Sequence, residues 1–150
     1  MSLPQSRLLT RLLALPAVTA IVGAKVFAEL VPGPPDYPAV VFKVLSDEPV
    51  NDANGGSNSY TMKLQVSCLA IGGQGSGPYT RVWALAAAVR GDAENSAGPT
   101  GLSGWKDAEG SVWHLIDSFD EAGEIREGTN TFWAFVVNQL YTVQYVDPTS

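Results

Sequence analysis

The stretch Gly72-Gly-Gln-Gly-Ser-Gly77 lies between an alternating apolar run and a helical pattern, the setting of a phosphate cradle. Such a cradle holds phosphate oxygens on backbone N–H groups and needs particular neighbours. A dinucleotide fingerprint begun at Gly73 requires glycine at 78, and Pro78 stands there. A P-loop begun at Gly72 reaches Gly77 but then meets Pro78 and Tyr79, where Lys and Ser or Thr must follow. Without the lysine there is no cation for the phosphates, so the segment reads as a loop that must bend freely.

The other chemistry-bearing residues fail similar requirements. His114 is the single histidine, between Trp113 and Leu115, and no nucleophile-elbow sequence accompanies it for a Ser-His-Asp device. One histidine and one cysteine cannot supply a usual structural zinc site. Asp47, Glu48, Asp52 and Asn54 suggest calcium, yet the twelfth position counted from Asp52 is Lys63 where an EF-hand needs glutamate. Asp117, Asp120, Glu121 and Glu124 crowd what reads as a solvated turn, whereas a glycosidase needs two carboxylates facing a sugar cleft. Cys68 falls on the apolar side of a strand pattern and reads as a small core residue. The expectation is no catalytic residue, no cofactor and no metal.

Composition narrows the class. The 150 residues are enough for one domain with a core, and 45% apolar with 16% charged residues is globular. Nine basic against fifteen acidic residues give a net charge of −6. That balance argues against a dedicated nucleic-acid binder and against an anionic membrane as partner. A lone cysteine forms no intramolecular disulfide.

The elements that would position these residues are readable from periodicity. Leu8, Leu12 and Leu15 share a helical face over residues 5–15, with Arg7 and Arg11 one turn apart on another. The apolar stretch ALPAVTAIVGA, residues 14–24, follows those arginines and has the outline of a secretion signal. Arg11 interrupts it, Pro16 divides it, and neither half approaches the roughly 20 apolar residues of a membrane span. A retained, folded segment is expected: helix, break at Pro16, short helix, stop at Gly23. A short strand over Val26 to Val31 and a stiff connector from Pro32 to Pro38 follow.

Strands are then expected over Ala39–Leu45, 60–70, Val112–Phe119 and Thr131–Val146, and a helix over Pro78–Arg90. Ser46–Ser59 reads as a polar loop around Asn54-Gly55-Gly56, residues 91–110 as a long surface loop, and Asp120–Glu124 as a turn. Asn138-Gln139 breaks the aromatic pattern of the last strand and reads as a bulge. The four tryptophans and that aromatic strand fit either a core or a sugar- or peptide-binding face. The pattern predicts an α+β domain: an antiparallel sheet of about four main strands with helices packed on one face.

The order of these parts carries a resemblance. LPAVTAIVGAKVF, DYPAVVFKVLS, YTMKLQVSCLA, RVWALAAAVR and SFDEAGEIREGTNTFWAFVV follow the leucine-rich first helix in sequence. The set resembles the tail-completion or tail-terminator proteins of long-tailed bacteriophages and gene-transfer particles. The counterparts are Pro16 to Phe27, Pro38 to Val44, Leu64 to Ala70, Trp83 to Arg90 and Phe119 to Val137. Gly72 to Gly77 and the length of 91–110 depart from the family pattern.

The resemblance implies a single tail-terminator-like domain over residues 1–150 and a structural virion protein rather than an enzyme. It implies a ring, usually a hexamer, that caps the tail tube and joins it to the head connector while DNA passes through the lumen. Its partners would be further copies of itself, the tail tube protein, a head–tail connector or stopper protein, and DNA in transit; no membrane is implied. Its place would be the tail or neck of the virion, after assembly in the host cytoplasm. Loop position then nominates Asp47, Glu48, Asp52, Asn54, Gly75, Trp105, Asp107 and Glu109 for the subunit or lumen interface. Acidic walls would let DNA slide without sticking. The alternatives are another neck or tail part, such as a stopper or tube subunit, and a small soluble ligand- or peptide-binding domain.

Overall fold

A computed structural model describes residues 3–29, 38–52, 55–72 and 76–146. Pro4 opens the first helix, α1 (Pro4–Ala14), at a position where its missing N–H is harmless. Leu15 closes α1 and Pro16 starts α2 (Pro16–Val22), which stops at Gly23 with φ of 63°. The opening segment is thus the helix, break and short helix that Pro16 and Gly23 predict. Leu8, Leu12, Val18 and Val22 are buried.

Five strands form one sheet: β1 (Val26–Ala28), β2 (Ala39–Asp52), β3 (Gly55–Gly72), β4 (Trp113–Glu127) and β5 (Asn130–Val146), in the order β1-β2-β3-β5-β4. Helix α3 (Ser76–Arg90) connects β3 to β4. The expected four-stranded antiparallel sheet is corrected here to a mixed one. The short β1 pairs parallel to β2, Val26 opposite Val40, and the other pairs are antiparallel.

The strands outrun their apolar patterns. The expected polar loop 46–59 is a hairpin arm, because β2 continues past Leu45 with Asp47 opposite Met62 and Glu48 opposite Thr61. The expected turn at 120–124 is strand as well: β4 runs to Glu127, and Gly128, with φ of 63°, makes the turn. The bulge is not at Asn138-Gln139, which keep register with β3. Instead, register shifts in β4 between Leu115 and Asp117, at Ile116.

Alternate residues of the strands face the helices. Leu64, Val66 and Cys68 of β3 and Val137, Tyr141 and Val143 of β5 pack with Leu8, Leu12, Val18, Val82, Leu85 and Trp113 in one core. Gln139 lies on that face too, 1% exposed. Its amide donates to Ala86 O (2.9 Å) and its oxygen accepts the Tyr141 hydroxyl (2.6 Å), so the polar group is satisfied inside. The opposite face has a smaller apolar cluster of Ala39, Val41, Leu69 and Ala134.

The expected surface loop after α3 is packed back onto the helix end. Gly91, φ 67°, caps α3 through its N–H to Ala87 O. Leu102 N and Ser103 N then donate to Val89 O and Arg90 O. The chain crosses itself so closely that a Cβ on Gly91 would sit 2.1 Å from Gly101 N. Gly91→Ala is therefore expected to cost more than about 3 kcal/mol in urea unfolding, from a left-handed backbone and a backbone clash together. Gly123→Ala, where a Cβ meets nothing within 4 Å, is the control and should stay within about 0.5 kcal/mol.

Candidate functional site

Two arginines on one stripe of α1 hold the loop that precedes β4. Arg7 Nε donates to Asp107 Oδ2 at 2.7 Å and Arg7 Nη1 to Glu109 Oε2 at 2.7 Å. Asp107 also accepts the Trp113 indole N–H (3.1 Å) and the backbone N–H groups of Glu109 and Ser111 (both 3.0 Å). Burial by itself would raise the Asp107 pKa. The hydrogen bonds from Arg7, Trp113, Ser111 and Glu109 outweigh it and hold the carboxyl below its usual range. One helical turn on, Arg11 Nη2 donates to Pro99 O and Gly101 O, both at 3.0 Å. Its guanidinium lies 5.1 Å from the centre of the Trp105 ring, which stacks on Trp113 at 5.5 Å.

Trp105, Asp107 and Glu109 are thus brought together, but in an internal clasp. Asp107 is 5% exposed. Its carboxylate faces Arg7 inside the subunit. Glu109 is shared with the same arginine and Trp105 is half-buried. The signal available in the sequence was the Arg7/Arg11 spacing, which sets two cations on one helix stripe in need of partners.

Asp47 and Glu48 are exposed on the distal part of β2, and the Tyr145 hydroxyl donates to Asp47 Oδ2 at 2.7 Å. Tyr145 in turn stacks on Tyr60 at 5.7 Å. Asp52 ends the same strand, so the hairpin arm carries three of the nominated acids. Asn54 and Gly75 lie outside the described residues. One rung crosses four strands through Asp47, Met62, Val143 and Trp113. The arm and the clasp therefore share one end of the sheet, three strand spacings or roughly 14 Å apart.

The remaining candidates disperse. His114 is exposed at a groove of about 540 Å³ whose lining, among the described residues, includes Thr61, Ser111, Thr142 and Gln144 but no carboxylate. Asp117, Asp120, Glu121 and Glu124 are spread along β4 rather than around a turn. Glu121 accepts the Asn138 amide at 2.9 Å, and Asn138 Oδ1 accepts from Ser67 at 2.6 Å. Cys68 is fully buried, and burial pushes its thiol up to about 12.

Asp107→Asn should cost about 1–3 kcal/mol at pH 7, because it takes the buried carboxylate from Arg7 Nε while Glu109 still holds Nη1. A depressed folded pKa gives stability that is full above the unfolded aspartate value of about 3.9 and is lost as pH falls below it. The gap between wild type and variant in urea midpoint should therefore narrow on acidification from pH 7 to pH 3. For Cys68, a thiol reagent at pH 8 should label the unfolded chain in urea within minutes and leave the native chain unlabelled over the same time.

No helix among the described residues is long and apolar enough to cross a membrane. Residues 6–109 match the profile of the family described as tail completion protein gp17. The matched span begins just before Arg7 and ends on Glu109, so it takes in both halves of the clasp. No curated protein matches the chain. Among solved structures, a chain in the virion of a native gene transfer agent (GTA) particle shares the fold, with a TM-score of 0.59 and 16% identity over 96% of this chain and 95% of that one. The family match covers well over half of the sequence, and the chain belongs to the tail completion protein gp17 family, as a structural component of a phage-like virion tail.

Proposed function

We propose that the protein forms a closed ring, a hexamer as the sequence resemblance implies, that caps the tail tube and joins it to the head connector, with DNA crossing the lumen. The family match over residues 6–109 carries this reading. A ring is built by one surface of each subunit meeting a different surface of the next. The fold supplies unlike surfaces: a helix layer on one face, an open sheet face on the other, and a projecting β2–β3 arm. The reading needs no active site.

Asp47, Glu48 and Asp52 on the β2–β3 arm are the lumen candidates, where like charge keeps DNA phosphates from binding. Asn54 and Gly75 are kept as subunit-contact candidates by their place in the sequence.

Light scattering and negative-stain images of the purified chain, alone and with tail tubes, test the assembly. Closed rings, or one cap at one end of each tube, are expected. Open-ended polymers would make it a tube subunit, and a monomer that ignores tubes would contradict the ring altogether. In particles carrying Asp47→Lys and Glu48→Lys, rings should form while DNA exit slows. Ejection at the wild-type rate would remove the arm from the lumen.

A further inference from the structure

Strand β4 lies at the margin of the sheet, and among the described residues only its beginning is covered from outside. There Trp113 N donates to Trp105 O and Gly104 N to Trp113 O, both at 2.8 Å. The cover is the clasp loop, and it ends at that point. Ile116 then bulges out of register, and every residue from Asp117 to Glu124 is exposed. Among the described residues no strand pairs with the outer side of β4. A long edge of this kind presents a row of open N–H and C=O groups.

A groove of about 290 Å³ runs between this edge and α3, with Tyr79, Trp83 and Phe135 in its lining and Asp120 and Ala122 on the β4 side. The rings meet edge to face, Tyr79 to Trp83 at 6.4 Å and Tyr79 to Phe135 at 6.0 Å. The Trp83 indole nitrogen is buried and has no hydrogen-bond partner among the described residues. Strand alternation puts Asp120 and Glu124 on the groove side of β4, and Asp117 and Glu121 on the other. With Glu127 and Arg126, the strand past the bulge carries five carboxylates and one cation.

We propose that the β4 edge and its aromatic groove are a docking site for an extended, basic segment of a partner protein. The segment adds as a sixth strand, and one of its side chains sits against Tyr79, Trp83 and Phe135. Charge selects the occupant. Pairing two β4 edges of neighbouring copies would set carboxylates against carboxylates. The distal part of β2 carries Asp47, Glu48 and Asp52 and would repel β4 equally. A basic strand meets opposite charge on both sides of β4 and offers cations to the ring faces in the groove. This site goes beyond the ring and does not rest on it.

The test uses the full chain and a fluorescent peptide of alternating lysine and valine, read by anisotropy at physiological salt. Its controls are a glutamate–valine peptide and the lysine–valine peptide N-methylated at alternate amides, which keeps the charge but cannot pair with a strand. The lysine–valine peptide should bind and should protect the β4 amides beyond Ile116 from hydrogen exchange. N-methylation, Asp120→Lys with Glu124→Lys, and Tyr79→Ala should each weaken it by about tenfold or more, equivalent to about 1.4 kcal/mol. Failure to bind, equal binding by either control peptide, or indifference to the charge reversal in a variant that melts like wild type would overturn the proposal. So would a concentration-dependent dimer of the chain that buries β4 and is lost on the same charge reversal, since the occupant would then be a second copy.

Discussion

The contact between Arg7 and Asp107 joins parts of the chain a hundred residues apart, and the helix layer is organised around it. A charged pair taken out of water is tolerated only where the geometry is good and the remaining donors and acceptors are met. Asp107 meets that condition with an arginine, an indole and two backbone amides. Helix α1 has no side-chain N-cap and no acidic residue in its first turn. Its place therefore depends on tertiary contacts: Leu8 and Leu12 in the core, and Arg7 and Arg11 on the loop.

What the loop receives from α1 it passes to the sheet. Arg11 holds the carbonyls of Pro99 and Gly101, beside the crossing with Gly91 that closes α3. Leu102 is fully buried, and the backbone of Trp105 pairs with Trp113 at the start of β4. One face of the sheet is thereby closed by a helix layer fastened at both ends. The features left for other molecules are strand features: the β2–β3 arm, the open sheet face and the free length of β4. In the proposed ring, this division would let rigid subunits meet along strands and arms without rearranging their cores.

The sequence was most legible where burial imposed a period. Pro16 marked the break between the first two helices and Gly23 the end of the second, and the alternation from Tyr60 to Ala70 marked β3. It was least legible where strands are exposed on both sides. Residues 47–49 and 120–124 are held in the sheet by backbone pairing with β3 and β5, which leaves no apolar pattern to read. The three residues of β1 are too few for periodicity to reveal a parallel pair. Asn138-Gln139 resembled an interruption because a buried glutamine looks polar in sequence whether or not Ala86 and Tyr141 satisfy it. Asp107 looked the same as any loop acid, since sequence does not distinguish a solvated carboxylate from one paired with an arginine across the fold. Asp47 and Glu48 are exposed on the arm, where Asp47 accepts the Tyr145 hydroxyl.

Helix α1 and the 99–113 loop form one cooperative unit with the sheet through the Arg7 and Arg11 contacts. Native-state hydrogen exchange of the wild-type chain, followed residue by residue, tests it directly. Amides of α1 after its first turn, with those of Leu102 and Trp113, are expected to exchange at one common free energy close to that of the β3 core. Exchange of the α1 amides at a much lower free energy, while Leu102, Trp113 and β3 stay protected, would show that the helix opens alone and would contradict the claim.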